Sequence, residues 1–286
     1  MSGPLAQPHF REIARGKLGD AYTQAALDTA TNRLRTNRVA AWEELGDVEE
    51  LRQRAHDIKM SVVDDLESHV ARFTEAFEAR GGKVFFAKTG AEASAYVAEV
   101  CTRAGAKLAA KSKSMATEEI DLNAAFEAAG VTPVETDLGE YILQLAGEHP
   151  VHIIAPAIEK TAEQVADLLS AVQGERIPPE LEALTNAART QLRETFLKAD
   201  VGITGANFGV SSTGSICLVT NEGNARLVSS IPRVHVAIMG MERLVPTTAD
   251  LALLLRQRLA VHVHEHGRAE KQSADCVAPG SGPLHH

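Results

Sequence analysis

Apolar residues recur along this chain at two different periods, and the change falls near residue 82. Before it, Phe10 to about Trp42 is rich in Ala, Arg, Thr and Leu and reads as helical. A longer helix is expected next. Val48, Leu51, Ala55, Ile58, Val62, Leu66, Val70, Phe73 and Phe77 follow one another at spacings of three and four, which places them on one helical face. Charges fill the opposite face, as on a solvated surface, and Gly81-Gly82 stops the run. The arm carries no obvious catalytic group; packing or partner contact suits it better. After residue 82, short apolar runs alternate with helical stretches. Strands are predicted at Val84–Ala87, Lys107–Lys111, Thr132–Glu135 and Val151–Pro156. Helices are predicted at Ala91–Ala104, Ile120–Ala129, Leu138–Ala146, Thr161–Val172 and Leu181–Lys198. Such alternation predicts an α/β fold with a parallel sheet covered on both faces.

The segment from Asp200 to Pro246 organises the rest. It holds three apolar runs, Val201–Gly205, Ser215–Thr220 and Val234–Gly240, each a candidate buried strand. Between them lie Gly205-Ala206-Asn207, Ser211-Ser212-Thr213-Gly214-Ser215 and Asn221-Glu222-Gly223-Asn224. Loops of this kind let backbone N–H groups approach a phosphate or carboxylate, since Gly has no Cβ in the way. Ordinary tight turns of an α/β core have the same composition.

Composition narrows the classes. The 286 residues suffice for one large domain or two modest ones. Apolar content of 44% and charged content of 23% are those of a globular protein. A net charge of −9 without a basic cluster argues against nucleic acid as the main partner. Cys101, Cys217 and Cys276 are far apart with no CxxC, so a disulfide framework is not expected and a reducing cytoplasm fits. No apolar run approaches the ~20 residues of a transmembrane segment, and the N-terminus lacks a secretory h-region.

Three polar clusters are candidates for chemistry. Lys111-Ser112-Lys113-Ser114 ends a predicted strand and suits a small carboxylate or phosphate ligand. Glu135, Asp137 and Glu140 bring three carboxylates within six residues; one can serve as acid, base or Arg partner. Asp137 is also a natural N-cap, with Glu140 three residues on completing a box-like cap. Glu222, between Asn221 and Gly223-Asn224, is a candidate nucleophile or base, or part of a hairpin turn leading to Ala225–Val228. His235 lies inside an apolar strand, as a hydrogen-bonded core histidine does. His262, His264 and His266 alternate and would share one strand face, where a metal can bind adventitiously.

Three stretches together resemble a known family. They are KSKSMATEEIDLN (Lys111 to Asn123), VETDLGEYILQLAGEHPVHIIAPAIEKT (Val134 to Thr161) and ADVGITGANFGVSSTGSICLVTNEGNARLV (Ala199 to Val228). They are similar to the lactate utilization protein B family, the iron–sulfur subunits of a bacterial L-lactate oxidation system. The likeness runs from about Phe10 to about Leu255. It implies a LUD domain, akin in fold to the NagB/RpiA/CoA-transferase group, at residues 81–255, preceded by a helical arm at 1–80. It also implies sister A- and C-type proteins as partners in oxidising L-lactate to pyruvate.

The departures shape the expectation. The family carries CxxCxxCxxxCP runs in a C-terminal ferredoxin-like region, and each four-iron cluster needs four ligands, usually thiolates. Three scattered Cys lead to the expectation that this chain binds no cluster and does not oxidise lactate alone. The likeness dissolves after Leu255, so 256–286 is expected to be a divergent, disordered tail, as in a truncated or frame-shifted product. Glu159 stands where the family pattern has His, and Ser212 where it has Glu. The expected pocket gathers Lys111, Lys113, Ser114, the Glu135–Glu140 segment, Asn207, Thr213, Gly214, Ser215, Glu222 and Asn224. In it Lys111 and Lys113 face the anion, the Gly and Ser loop donates N–H groups, and Glu222 is the base. Two other readings stay open: an enzyme of the wider fold group, such as a CoA-transferase using Glu222 to form a thioester, and a non-catalytic scaffold that docks sister subunits through the arm.

Overall fold

A computed structural model describes residues 10–148, 156–220, 222–262 and 273–277. Both expected N-terminal helices form, and each is broken once. The first divides into α1 (Phe10–Gly19) and α2 (Ala21–Leu45) at Asp20, whose carboxylate accepts from Tyr22 N–H and the Thr23 hydroxyl. The second divides into α3 (Val48–Asp64) and α4 (Leu66–Glu78) at Asp65, a residue with non-helical backbone angles. Asp47 caps α3 through Glu50 N–H.

The expected parallel sheet is present. Its strands β1 (Leu108–Lys111), β2 (Thr132–Glu135), β3 (Val201–Gly205) and β6 (Val234–Ile238) run in the order β2-β1-β3-β6. Successive residues of β1 show why both faces are covered. Ala109 packs with Val97 and Cys101 of α5 (Gly90–Arg103) and with Leu122 and Phe126 of α7 (Leu122–Ala128). Ala110 faces the other way, onto Val228 and Phe196. These belong to α11 (Asn224–Ser230) and α10 (Leu181–Lys198). Between β1 and α7 lies the short α6 (Met115–Glu119). Helices α8 (Leu138–Ala146) and α9 (Ala162–Gln173) complete that second layer, with Tyr141, Leu169 and Leu192 in its core.

Other expectations are corrected. Ser215–Thr220 forms a strand, β5, but outside the parallel sheet. It turns back antiparallel on β4 (Phe208–Val210) in a second sheet of order β7-β4-β5-β8, with β7 at Leu244–Val245 and β8 at Ser273–Val277. The cause is the Val210–Gly214 turn, where Thr213 and Gly214 N–H groups both reach Val210 C=O. Val84–Ala87 is not a strand, because no neighbour offers it a ladder among the described residues. Ala225–Val228 is helical in α11 rather than the return strand of a hairpin, and Gly223 enters that helix with φ +76°. The helical arm, for which packing or partner contact was expected, packs: Ala55, Val62 and Phe73 lie on the second sheet, against Cys217, Val210, Ile216 and Leu218. Beyond Leu255, read from the sequence as a disordered tail, α12 (Thr248–His262) continues and β8 (Ser273–Val277) pairs with β5. The strand expected at Val151–Pro156 falls almost wholly on 151–155, outside the described residues, as do His264 and His266. Among the described residues no helix is long and apolar enough to cross a membrane.

Candidate functional site

The chain leaves β1 toward β2 on one side and later returns to β3 on the other. The connections therefore diverge at the carboxyl ends of β1 and β3, where open parallel sheets ordinarily bind ligands. Ser112–Ser114 follows β1, and Gly205–Asn207 follows β3. The two meet closely: a Cβ on Gly205 would come within 2.7 Å of Ser114 Oγ. Ser114 is the N-cap of α6 and accepts from Thr117 N–H.

Lys111 ends β1 and lies in register with Glu135 at the end of β2. Its ammonium donates to Glu135 Oε1 and to Asn123 Oδ1, each at 2.6 Å, and Asn123 Nδ2 donates to the same Glu135 oxygen at 3.1 Å. Lys111 is 1% exposed and Glu135 8%. A buried ammonium needs an anion beside it, and here the protein supplies one. Lys111 was expected to face a bound carboxylate or phosphate; it faces Glu135 instead, because parallel pairing sets the two side by side.

The next turn collects carboxyl groups. Asp137 caps α8, accepting from Gly139 and Glu140 N–H. The buried Glu140 side chain does not close a capping box; it shares a hydrogen bond with Glu118 of α6. Burial, that hydrogen bond, and the charges of Glu135, Asp137 and Glu118 push its pKa up to about 9. Burial and these neighbours thus drive the Glu140 carboxyl toward its neutral form.

Glu222 arrives from the other sheet, just past β5. Its Oε2 accepts from Leu138 N–H at 3.3 Å, at the start of α8. The residue has an exposed surface, yet protein atoms crowd its carboxyl. That desolvation and the charge of Asp137 push its pKa up to about 7, against the pull of the Leu138 N–H and Lys113. A buried chain of side chains holds its loop: Thr220 Oγ1 donates to Asn224 Oδ1, Asn224 Nδ2 approaches Thr136 Oγ1 at 3.5 Å, and Thr136 Oγ1 donates to Lys111 C=O.

The structure thus unites Lys111, Lys113, Ser114, Glu135, Asp137, Glu140, Glu222 and Asn224, but not the remaining candidates. Asn207 Oδ1 accepts from Val219 N–H and braces the β4–β5 hairpin. Thr213, Gly214 and Ser215 lie at the far end of β5, about 17 Å from Thr220 along a strand. Their turn packs on α4, where Arg80 donates to Thr213 C=O and a Cβ on Gly214 would meet Phe77 N at 2.4 Å. Sequence reasoning did not single out Glu118, Asn123 or Thr220 for the pocket, and Thr136 entered it only as part of the Glu135–Glu140 segment. All four lie inside the quoted motifs, and for Glu118 and Asn123 polarity next to Ile120 and Leu122 was the available signal. A hollow of about 640 Å³ beside Tyr141, Gln144 and Thr195 lies on the outer edge of β2 and includes none of the clustered carboxylates. His235 bonds Thr204 at 2.9 Å, and burial lowers its pKa to about 4, so it is a neutral core histidine.

The chain is thus a parallel α/β domain with acidic, neutral and basic side chains gathered at the carboxyl edge of its sheet. Residues 70–285 match the LUD domain, and the chain belongs to that family. It is 46% identical over 256 residues to "Lactate utilization protein B" of Bacillus pumilus, covering 89% of this chain and 54% of that protein. It is 41% identical over 283 residues to proteins of the same name from Bacillus thuringiensis and Bacillus anthracis, covering 96% of this chain and 60% of each. The chain thus spans little more than half the length of these curated relatives. No solved structure matches it.

Proposed function

We propose that this chain is the ligand-handling LUD domain of an L-lactate utilization system, working in the cytoplasm with sister A- and C-type proteins. The names of its relatives support the pathway. The site supports proton transfer to and from a small carboxylate. One observation carries this reading: Glu222, pushed up to about pKa 7, sits at the head of α8 beside Asp137 and within reach of the charge of Lys113. A carboxylate poised near neutral pH is suited to general-base work. Lys113 rather than Lys111 is the cation for the ligand carboxylate. In the oxidation of L-lactate to pyruvate, Glu222 takes the proton of the C2 hydroxyl, and the C2 hydrogen leaves with both electrons as a hydride to a two-electron acceptor outside this chain.

The cysteines do not fit a four-iron cluster. The chain has three, one short of the four ligands needed. Cys101 lies under the parallel sheet and Cys217 in the second. Burial pushes the Cys101 thiol up to about 11, away from the thiolate a cluster requires.

Calorimetric titration of this chain with L-lactate and pyruvate tests the reading. Binding is expected to weaken about tenfold or more in Lys113→Ala. Glu222→Gln is expected to abolish the pH dependence of binding near pH 7. Unchanged binding and unchanged pH dependence in both variants would exclude the site.

A further inference from the structure

The segment after α4 has no role in the site, yet it is built to an unusual pattern. Residues 82–87 run without helix, turn or bend. The segment is pinned from two sides. Val84 packs on the cluster of Val62, Phe73 and Leu218, and its N–H reaches Glu78 Oε1 at 3.4 Å. The Phe85 ring stacks on Tyr96 of α5, with centroids 3.8 Å apart and planes 5° from parallel. What the pinning leaves open is the backbone. Phe85, Phe86 and Ala87 make no backbone hydrogen bond to protein among the described residues. Phe85 is 41% exposed and Phe86 50%. A fixed, unpaired, aromatic run of main chain is a template for another strand.

Charge selects the partner. Lys83 and Lys88 flank the run, both are exposed, and neither forms an ion pair among the described residues. The carboxylates of Glu78 and Glu92 are engaged by the backbone N–H groups of Val84 and Lys88. Arg80 directs its guanidinium to the carbonyls of Ala76 and Thr213. On a chain of net charge −9, the three cations Arg80, Lys83 and Lys88 here outnumber the two carboxylates of Glu78 and Glu92. A second copy pairing antiparallel through Phe85 and Phe86 would set Lys83 against Lys88, like charge on like. An acidic strand has no such penalty.

We propose that Lys83–Lys88 receives an acidic, extended segment of a partner protein by strand addition. Main-chain hydrogen bonds to Phe85–Ala87 supply the pairing, Phe86 supplies apolar contact, and Lys83 and Lys88 select for Glu or Asp. None of the observations behind it involves Glu222, so it stands whether or not that site binds lactate.

The test uses the full chain and a fluorescein-labelled decapeptide of alternating Glu and Val, read by anisotropy. Saturable binding is expected, with slowed amide exchange at Phe85, Phe86 and Ala87. Phe86→Asp and Lys83→Glu/Lys88→Glu are each expected to weaken it about tenfold or more, with unchanged circular dichroism. A peptide with the same number of Glu residues but Pro at every second position cannot offer the ladder and is expected not to bind. Equal binding of the Pro peptide, absence of protection at Phe85–Ala87, or failure of the Glu-Val peptide to bind would each overturn the proposal.

Discussion

Lys111 Nζ lies 2.6 Å from Glu135 Oε1 across the β1–β2 pair, with both side chains buried. Asn123 closes the triangle on both of them. Removing one partner leaves the other charge buried without compensation, at a cost of about 3–5 kcal/mol. Lys111→Met is therefore expected to lose stability on that order in urea denaturation. Lys111→Met/Glu135→Leu is expected to recover at least about half of it, since an apolar pair of similar volume removes both charges. If the double variant were as unstable as the sum of the singles, the two residues would not act as a pair.

Glu140 makes stability depend on pH in a direction opposite to an ordinary paired carboxylate. Its pKa is raised from 4.5 to about 9 in the folded chain. Between those values the folded state holds a proton that the unfolded state has lost, so this group's contribution falls as pH rises through that window. Glu140→Gln keeps a donor for Glu118 and removes the titration. Its urea midpoint is expected to rise relative to the parent as pH goes from 5 to 9. A constant difference across that range would show that Glu140 is ionised in the fold.

Much of this was legible in the residues. The spacing of three and four from Val48 to Phe77 did mark a buried face, and the bounds of α8, α10, β3 and β5 follow their apolar runs. What periodicity does not carry is which strand pairs with which. Ser215–Thr220 reads like any buried strand, yet its partner β4 is only three residues long and hidden in Phe208-Gly209-Val210. That pairing sends Thr213–Ser215 away from the site. Val84–Ala87 has strand composition and no partner, so propensity alone misjudged it. In the site, the residues put Lys111 beside an anion but could not say that the anion is Glu135, its register partner on the neighbouring strand.

Gly202 sits in β3 where α11 crosses it. A Cβ there would lie 1.9 Å from Val228 C=O and 3.2 Å from Pro232. The obstacle is helix backbone, which cannot step aside as a side chain can. Gly202→Ala is expected to destabilise by about 3 kcal/mol. Gly16→Ala in α1, with open space around it, is the control and is expected to stabilise by about 0.5–1 kcal/mol. Thermal denaturation of both variants separates a packing effect at Gly202 from a general effect of adding a methyl group.

Asn224 is better described as holding the Glu222 loop than as binding a ligand. It is buried, it accepts from Thr220 at the end of the second sheet, and its amide points at Thr136 at the end of the first. Through Thr136 the chain of contacts ends on Lys111 C=O. Glu222 lies two residues away and depends on this joint for its place at Leu138 N–H. Asn224→Ala leaves buried polar groups unpaired and is expected to cost about 1–3 kcal/mol. A purely structural role would stop there. A positioning role predicts more: with the loop released, Glu222 meets more water, and its titration is expected to move from about 7 toward the ordinary carboxylate range near 4.5. Carboxyl-carbon NMR of a glutamate-labelled chain, with Glu222→Gln to assign the signal, measures this directly. An unmoved midpoint in a folded Asn224→Ala chain would separate Asn224 from the site.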